Sequence, residues 1–365
     1  MAINWQLYHW HLELSGKCTL KCPRCPRTEF PDTPWLNQDI SLSNFKRSFT
    51  PEFIQSHVQR FTFCGDIGDP IYNKEFLDIV RYVKEVNPAC HTFTITNGSY
   101  KKPEWWEELS TILNEYDSIN FSVDGYDQES NILYRVNSNF DSIMQGMHIM
   151  GHKSKAFVNW AAIYFKFNQD NLEEIRSLAV RNGCDAIQWT KSTKFGSKYG
   201  EAYNGPADTL EPRSEFISST HRYERHIEHL TARRIQNQVY MQTNKNRFNE
   251  IQLQYNKNIV PLCLVGNRGM YISADGAVHP CSWVSFPYKD LSDGQKTIKY
   301  EDGFFAKHRH NLSIKSRPLE EILNDEIWDT LFESWNDPTK SWVECNLKCS
   351  KKYIDFDYAV GYETN

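Results

Sequence analysis

The sequence predicts an α/β fold built around a parallel sheet, either open or rolled into a partial barrel. Two observations support this prediction. From about residue 10 to residue 190, short apolar segments alternate with segments of helical periodicity. The apolar segments are rich in β-branched and aromatic residues and are bounded by turn residues, as strands are. Strands that alternate with helices form parallel sheets, because each helix returns the chain to the start of the next strand.

Six strands are predicted in this region, each short and largely apolar. In chain order they are Trp10–Leu14, Phe61–Cys64, Thr92–Thr96, Ile119–Val123, Phe157–Phe165 and Ala186–Thr190. In folds of this class, ligand-binding and catalytic groups gather at the carboxyl ends of the strands.

Helices are predicted between the strands. The residues from Phe76 to Val83 place an apolar stripe on one helical face, and a Pro at position 88 follows that helix. Pro103 suits the first turn of the next helix. Two later helices are predicted to end at Gly151 and Gly183, respectively.

These patterns divide the chain into three predicted regions. Residues 1–195 form the α/β barrel, and residues 196–260 form a polar insert with a helical stretch from about Glu215 to Asn244. Residues 261–365 form a small second domain in which cysteines recur.

The composition indicates a cytoplasmic protein. No apolar run approaches the ~18 residues of a membrane span, and the first residues lack the features of a signal peptide. A net charge of −5 argues against bulk attraction to nucleic acid or anionic membranes. Ten cysteines without an export signal indicate metal binding, because the cytosol keeps thiols reduced.

The first cysteine group follows the first predicted strand with the spacing C-x3-C-x2-C, at Cys18, Cys22 and Cys25. Three thiolates this close together on a loop can bind one metal ion or one metal cluster. A cubane iron–sulfur cluster has four irons, so three cysteines leave one iron open for an exogenous ligand. The alternative is a zinc knuckle, but zinc usually recruits a fourth Cys or His at regular spacing. The nearest histidines, His9 and His11, lie within or before the strand.

The second group contains Cys263, Cys281, Cys345 and Cys349. An Asp-Gly turn at Gly276 predicts a β-hairpin that brings the first two cysteines to one end. Four cysteines can complete an iron–sulfur cluster with no open iron. Structural zinc bound by four cysteines is the alternative.

The first cysteine group resembles the fingerprint of the radical S-adenosylmethionine (SAM) superfamily, which follows the first strand of a partial (β/α)6 TIM-like barrel. Short motifs after the later strands also resemble that family, and the resemblance implies a SAM site. Its residues would be Gly68 and Asp69 in a Gly-Asp-Pro turn, Asn97 in Thr-Asn-Gly, Ser122 in Ser-Val-Asp-Gly, Arg135 for the SAM carboxylate, and Arg24 where the family usually has an aromatic residue beside adenine.

The second group resembles the SPASM/twitch extension of the same superfamily. A full SPASM domain needs cysteines for two auxiliary clusters, and none follows Cys349. The resemblance therefore implies a twitch-type domain with one auxiliary [4Fe-4S] cluster.

The resemblance implies an oxidoreductase or maturase that cleaves SAM to a 5′-deoxyadenosyl radical, which abstracts hydrogen from a peptide or protein side chain. An electron donor such as flavodoxin or ferredoxin would reduce the cluster. Asp66 and Cys64 are the candidate catalytic residues, because Cys64 ends the second predicted strand and Asp66 lies in the loop that follows it. Sulfatase-maturing relatives have an acidic base at the position of Ser282, so their chemistry does not transfer directly.

Two other functions stay open. Twitch-bearing relatives also oxidise small alcohols or sugars. A protein of another class, a non-catalytic zinc protein, would bind nucleic acid through the basic segment from Arg213 to Lys257. Metal analysis separates this last function from the two enzymes.

Overall fold

The computed structural model describes residues 9–29, 31–192, 210–223, 259, 261–265, 270–285, 304–336, 342, 345 and 349. The chain divides into two compact units. We call Leu14–Asp39 with Phe63–Ala232 the loop unit, because it contains the first cysteine group. We call Met1–Glu13, Ile40–Thr62 and Arg233–Asn365 the terminal unit. The predicted domain boundaries at residues 195 and 260 lie outside the described residues, so they stay predictions.

The strands in this part of the chain are β1 His9–Leu12, β2 Arg60–Phe63, β3 His91–Thr96, β4 Ser118–Ser122, β5 Phe157–Ile163, β6 Ala186–Thr190, β7 Ser219–Arg222, β8 Tyr271–Ile272 and β9 Val278–His279. The helices are α1 Pro26–Glu29, α2 Leu42–Ser48, α3 Pro51–His57, α4 Phe76–Val86, α5 Pro103–Ile112, α6 Gln128–Asn131, α7 Phe140–Lys153, α8 Leu172–Arg181, α9 Leu262–Val265, α10 Phe304–His308, α11 Leu319–Leu323 and α12 Ile327–Ser334. Short 3₁₀ turns span Pro70–Tyr72 and Ser282–Val284. All six predicted strands are present as β1 to β6, which confirms the predicted α/β class.

In the loop unit the strand order is β3-β4-β5-β6-β7. Strands β3 to β6 are mutually parallel, with Thr96 opposite Phe121 and Ser122 opposite Ala161. Their carboxyl ends therefore lie at the same end of the sheet. Between this sheet and its helices, Phe121 of β4 packs against Trp106 of α5, with ring centroids 5.2 Å apart.

Helix α7 does not end at Gly151, as the sequence predicted, but continues to Lys153. A Cβ atom at Gly151 would lie 2.1 Å from the carbonyl oxygen of Asn182. The glycine therefore allows α7 to approach the end of α8 closely. Gly183, with φ of +74°, follows α8 as predicted.

The predicted helical stretch from Glu215 to Asn244 is wrong where the structure describes it. Ser219–Arg222 forms β7, which pairs antiparallel with β6. The backbone of β7 satisfies the hydrogen-bonding groups along the edge of β6, and this pairing outweighs the polar composition. Residues 224–244 of that stretch lie outside the described residues.

In the terminal unit the strand order is β2-β1-β8-β9, with Phe63 of β2 assigned to the loop unit. Strand β1 pairs in parallel with β8, and β8 and β9 form the predicted hairpin around Gly276, whose φ is +87°. At the end of β1, the buried Glu13 accepts a 2.6 Å hydrogen bond from the Tyr271 hydroxyl, 258 positions away in sequence. Trp10 of β1 packs edge-on against Phe49, with ring centroids 5.0 Å apart.

None of the helices that the structure describes is both long enough and apolar enough to cross a membrane.

Candidate metal centre

The three cysteines of the first group lie together in the loop unit. Cys22 is buried, and Cys18 and Cys25 are partly buried against the same apolar cluster, which contains Leu20, Tyr134, Phe165 and Leu210. A backbone hydrogen bond of 3.2 Å from Cys25 N to Cys22 O turns the chain between the second and third thiols. These apolar side chains shield the thiols from water.

Nitrogen donors point at the sulfur of Cys18, and a positive charge lies near that of Cys22. Cys18 Sγ accepts hydrogen bonds from the backbone N–H of Leu20 at 3.4 Å and from Asn97 Nδ2 at 3.6 Å. The Arg135 charge lies near Cys22 and favours its thiolate form. Donors of this kind suit thiolates that bind an iron–sulfur cluster, because hydrogen bonds to sulfur stabilise the negative charge.

Burial opposes ionisation of these thiols when no metal is bound. Burial first, and then the nearby Asp69 carboxylate, raise the pKa of Cys18 to about 12. Burial also raises the pKa of Cys22, whereas the Arg135 charge lowers it. Metal binding must therefore displace protons from the thiols.

Among the described residues, no group of three or more His, Cys, Asp or Glu side chains surrounds a position for a single metal ion. A cubane iron–sulfur cluster does not need its cysteines to surround a single metal ion, because each cysteine binds a different iron.

Asp69 fixes the position of Asn97. Its buried carboxylate accepts hydrogen bonds from Thr96 Oγ1 at 2.8 Å and from the backbone N and Nδ2 of Asn97, both at 2.6 Å. Asn97 Oδ1 accepts from the backbone N–H of Ser99 at 2.9 Å. The amide oxygen and one amide N–H are thus committed, and the other N–H points at Cys18. Burial raises the pKa of Asp69 to about 6, although the hydrogen bonds from Asn97 and Thr96 act in the opposite direction.

Gly68 joins this network to the base of the cysteine loop. A Cβ atom at Gly68 would lie 1.8 Å from the carbonyl oxygen of Ser15, so no side chain fits there. The next residue, Asp69, donates its backbone N–H to the Lys17 carbonyl at 2.9 Å. The requirement for glycine thus comes from the chain's own backbone.

Arg135 is held by Asp124, a buried residue that the sequence analysis did not single out. Arg135 Nε lies 2.6 Å from Asp124 Oδ2, and the other carboxylate oxygen accepts from Ile163 N at 2.7 Å. Asn131 Oδ1 accepts the backbone N–H groups of Asp124 and of the following glycine. The sequence signal for Asp124 was its place in Ser-Val-Asp-Gly, but the motif does not reveal its partner.

The other predicted site residues occupy varied surroundings. Ser122 is the last residue of β4 and is half-buried, whereas the Arg24 side chain is only 4% exposed. Cys64 is half-buried, and its thiol lies 3.7 Å from the Gly65 carbonyl oxygen. The Asp66 carbonyl oxygen lies 4.0 Å from Cys25 Sγ, which places Asp66 beside the cysteine loop.

The four cysteines of the second group lie in the terminal unit. Cys263, on α9, and Cys345 are buried, and Cys281 and Cys349 are half-buried. Burial raises the pKa of Cys263 well above its usual value, and negative charge on the other three thiols would raise it further. This influence indicates that each of the three other thiols lies near Cys263. The hairpin contributes to this arrangement, because Cys281 lies two residues after the end of β9.

No protein-family model matches this chain. Its sequence is similar to that of GTP 3′,8-cyclase from Limosilactobacillus fermentum, with 24% identity over 196 residues. The match covers 52% of this chain and 52% of the cyclase, so the chain spans about half the length of that curated relative.

Two solved structures of Streptococcus suis SuiB have a similar fold. The structure bound to S-adenosylmethionine has a TM-score of 0.53 at 14% identity, and covers 94% of this chain and 70% of SuiB. The structure bound to the precursor peptide SuiA has a TM-score of 0.51 at 13% identity, with 93% and 70% covered.

Proposed function

We propose that this chain, a member of the radical SAM superfamily by its fold and its cysteine motif, binds a [4Fe-4S] cluster and S-adenosylmethionine and modifies a peptide side chain. The observation that carries this proposal is the set of three clustered thiols, with nitrogen donors at Cys18 and the Arg135 charge near Cys22. When bound, the cluster supplies the electron that cleaves SAM, and the resulting radical takes a hydrogen atom from the substrate.

In this proposal the loop unit holds and orients the cofactors. Cys18, Cys22 and Cys25 bind the cluster, and Asp69 and Asp124 hold Asn97 and Arg135 in place. The Arg135 charge also makes it the candidate partner for the SAM carboxylate. The apolar side chains around the thiols exclude water that would quench a reactive intermediate.

Three further residues complete the proposed SAM site. The backbone at Gly68 would meet the SAM amino group, Ser122 lies at the carboxyl end of β4, and Arg24 would contact adenine. Asp66 and Cys64 remain the candidate catalytic residues, since Asp66 lies beside Cys25.

The four cysteines of the terminal unit are proposed to bind an auxiliary [4Fe-4S] cluster. Their closeness supports this proposal, because the charges of three of them act on Cys263. Such a cluster needs four thiolates and leaves no open iron.

A peptide substrate is favoured because SuiB, which shares the fold, has been solved with its precursor peptide. The similarity to GTP 3′,8-cyclase, whose name gives a nucleotide as substrate, favours a small molecule instead. Product analysis with candidate peptides and with small alcohols, sugars and nucleotides would separate these two classes.

The proposal is tested by cluster assembly and SAM cleavage. Anaerobically reconstituted protein is expected to hold about eight irons and, with dithionite and SAM, to form 5′-deoxyadenosine. The Cys18→Ala, Cys22→Ala and Cys25→Ala variants should hold about four irons and form none. Cys184→Ala is the matched control, because Cys184 is a buried cysteine outside both groups. Protein that takes up zinc, but no iron or sulfide, would contradict both cluster assignments.

A further inference from the structure

Three amide side chains lie side by side on one face of the sheet in the loop unit. Phe121 of β4 packs against Trp106 of α5, so the preceding residue, Asn120, lies on the opposite face of the sheet. Asn159 of β5 is the direct cross-strand partner of Asn120 and therefore shares its face. Asn159 Nδ2 donates to Gln188 Oε1 of β6 at 3.5 Å. We call Asn120, Asn159 and Gln188 the amide strip.

The central residue of the strip has unused hydrogen-bonding capacity. Asn159 is only 5% exposed, and its Oδ1 atom has no hydrogen-bond partner among the described residues. Its bond to Gln188 is at the long end of the hydrogen-bond range. A buried amide oxygen that accepts no hydrogen bond costs free energy, and such atoms are rare in folded proteins. Asn159 therefore suits a ligand that brings an N–H or O–H group to this oxygen.

The strip is accessible, and its face leads to the cysteine loop. Gln188 is exposed and Asn120 is partly exposed, so the buried Asn159 lies between two amides that a ligand can contact. The same face continues along β5 to Ile163, which packs against the apolar cluster around the cysteines. Ile163 lies four residues beyond Asn159, which is about 13 Å along a strand. A substrate of roughly that length would reach from the strip to the surroundings of the proposed SAM-binding cluster.

Asp, Glu, Lys and Arg are absent from the strip's face of β3, β4, β5 and β6, four strands that the structure describes in full. Proteins usually bind phosphates and carboxylates through Arg or Lys, so this face does not suit an anionic ligand. Apolar residues flank the amides, because Ile95 is the cross-strand partner of Asn120 and Ala161 is that of Gln188. Sugar hydroxyls against these carbons would lose hydrogen bonds to water, whereas a peptide-like ligand presents carbon beside its amide.

We propose that the amide strip binds a neutral amide group of the substrate, such as a peptide bond or the side chain of an Asn or Gln. This inference rests on the proposed function and concerns a part of the substrate that does not itself react. An amide offers one acceptor and at least one donor, so it can pair with a second amide at both ends. The N–H of the substrate donates to Asn159 Oδ1, and its carbonyl oxygen accepts from the amide of Asn120 or Gln188.

The test is the binding of N-acetylglutamine methylamide, a neutral probe, to the anaerobically reconstituted protein in a ligand-observed NMR titration. The probe should bind saturably, and neither GTP nor glucose should displace it. Asn120→Leu and Gln188→Leu should each weaken its binding about fivefold, because each removes one neutral hydrogen bond. Neither residue is fully buried, so both variants should fold. The matched control is Gln145→Leu, which replaces an exposed amide on α7 and should bind the probe normally.

Three outcomes would overturn this role of the amide strip. They are no saturable binding of the probe, equal affinity in the Gln188→Leu and Gln145→Leu variants, and displacement of the probe by GTP or glucose. The first and third outcomes are measured on the unchanged protein, so they do not depend on the folding of a variant. Dithionite-driven SAM cleavage without any probe tests the proposed function separately. A protein that cleaves SAM but does not bind the probe contradicts only the role of the strip.

Discussion

At the scale of single residues, Asn97 has the most closely determined position in the candidate site. Its amide oxygen accepts from Ser99, and its amide nitrogen donates to both Asp69 and Cys18. The sequence identified Asn97 and Asp69 through short motifs at strand ends. The direction of the amide could not be predicted, because it depends on hydrogen bonds to residues 28 and 79 positions away.

Removing this amide should change the redox behaviour of the bound cluster. We expect Asn97→Leu to lower the reduction potential of the SAM-binding cluster, because an N–H group on a ligand sulfur stabilises the more negative, reduced cluster. A tenfold change in the reduction equilibrium, about 59 mV for one electron, is the expected size. Redox titration followed by electron paramagnetic resonance measures this shift.

The matched control is Asn73→Leu. Asn73 is also buried and bonded through both ends of its amide, to the Leu14 carbonyl and to Glu75 N. It should destabilise the protein without moving the potential. Equal potentials in the two variants would mean that Asn97 is only a packing residue.

At the scale of secondary structure elements, Asp117 connects three segments at the amino ends of β3 and β4. Its buried carboxylate accepts from Lys84 Nζ of α4 at 2.9 Å, from Thr92 N at 2.9 Å and from Asn114 N at 2.8 Å. Burial raises the pKa of Asp117, and the Lys84 charge acts against this effect. The sequence predicted these strands and the helix from their apolar pattern, but not this buried ion pair, because charged residues in a sequence usually indicate exposure.

Loss of the Asp117 carboxylate should destabilise the loop unit strongly. We expect Asp117→Ala to lower the free energy of unfolding by about 3–5 kcal/mol, because the Lys84 charge would remain buried without its partner. The double variant Lys84→Met/Asp117→Ala should lose less, since no unpaired charge then remains. Denaturant unfolding followed by circular dichroism measures both. The pair is not coupled if the double variant loses as much stability as the single variants Asp117→Ala and Lys84→Met lose together.

The β8–β9 hairpin depends on a second buried ion pair. Arg309 contacts Asp275 of the turn and donates to Ser273 Oγ at 2.8 Å. Burial acts to raise the pKa of Asp275, but the charge and hydrogen bonds of Arg309 outweigh burial, so the pKa lies below its usual value. This contribution to stability is complete above the unfolded-state pKa of about 3.9 and is lost as the pH falls further.

We therefore expect Asp275→Asn to lower the unfolding temperature at pH 7, and the difference from the unchanged protein to shrink below about pH 4. Thermal unfolding between pH 3 and pH 7 measures the effect. Asp329→Asn, which changes an exposed carboxylate on α12, is the control and should have little effect. A difference that stays constant down to pH 3 would contradict an ionised Asp275.

At the scale of the whole molecule, the division into two units follows spatial contacts rather than chain order. Local patterns in the sequence predicted six strands and their alternation with helices, because each pattern lies within about ten residues. The pairing of β1 with β8 could not be predicted in this way. It joins segments that are far apart in the sequence, and neither segment carries a signal that identifies its partner.

That pairing constrains the order in which the terminal unit can fold during synthesis. Glu13 and Tyr271, which share a hydrogen bond, are 258 positions apart. At about 5–20 residues per second, a ribosome needs roughly 13 to 50 seconds to make the intervening chain. During that interval β2 can already pair with one edge of β1, but the edge that β8 covers stays open. The newly made chain therefore exposes one unpaired strand edge, the kind of feature that invites pairing with another chain.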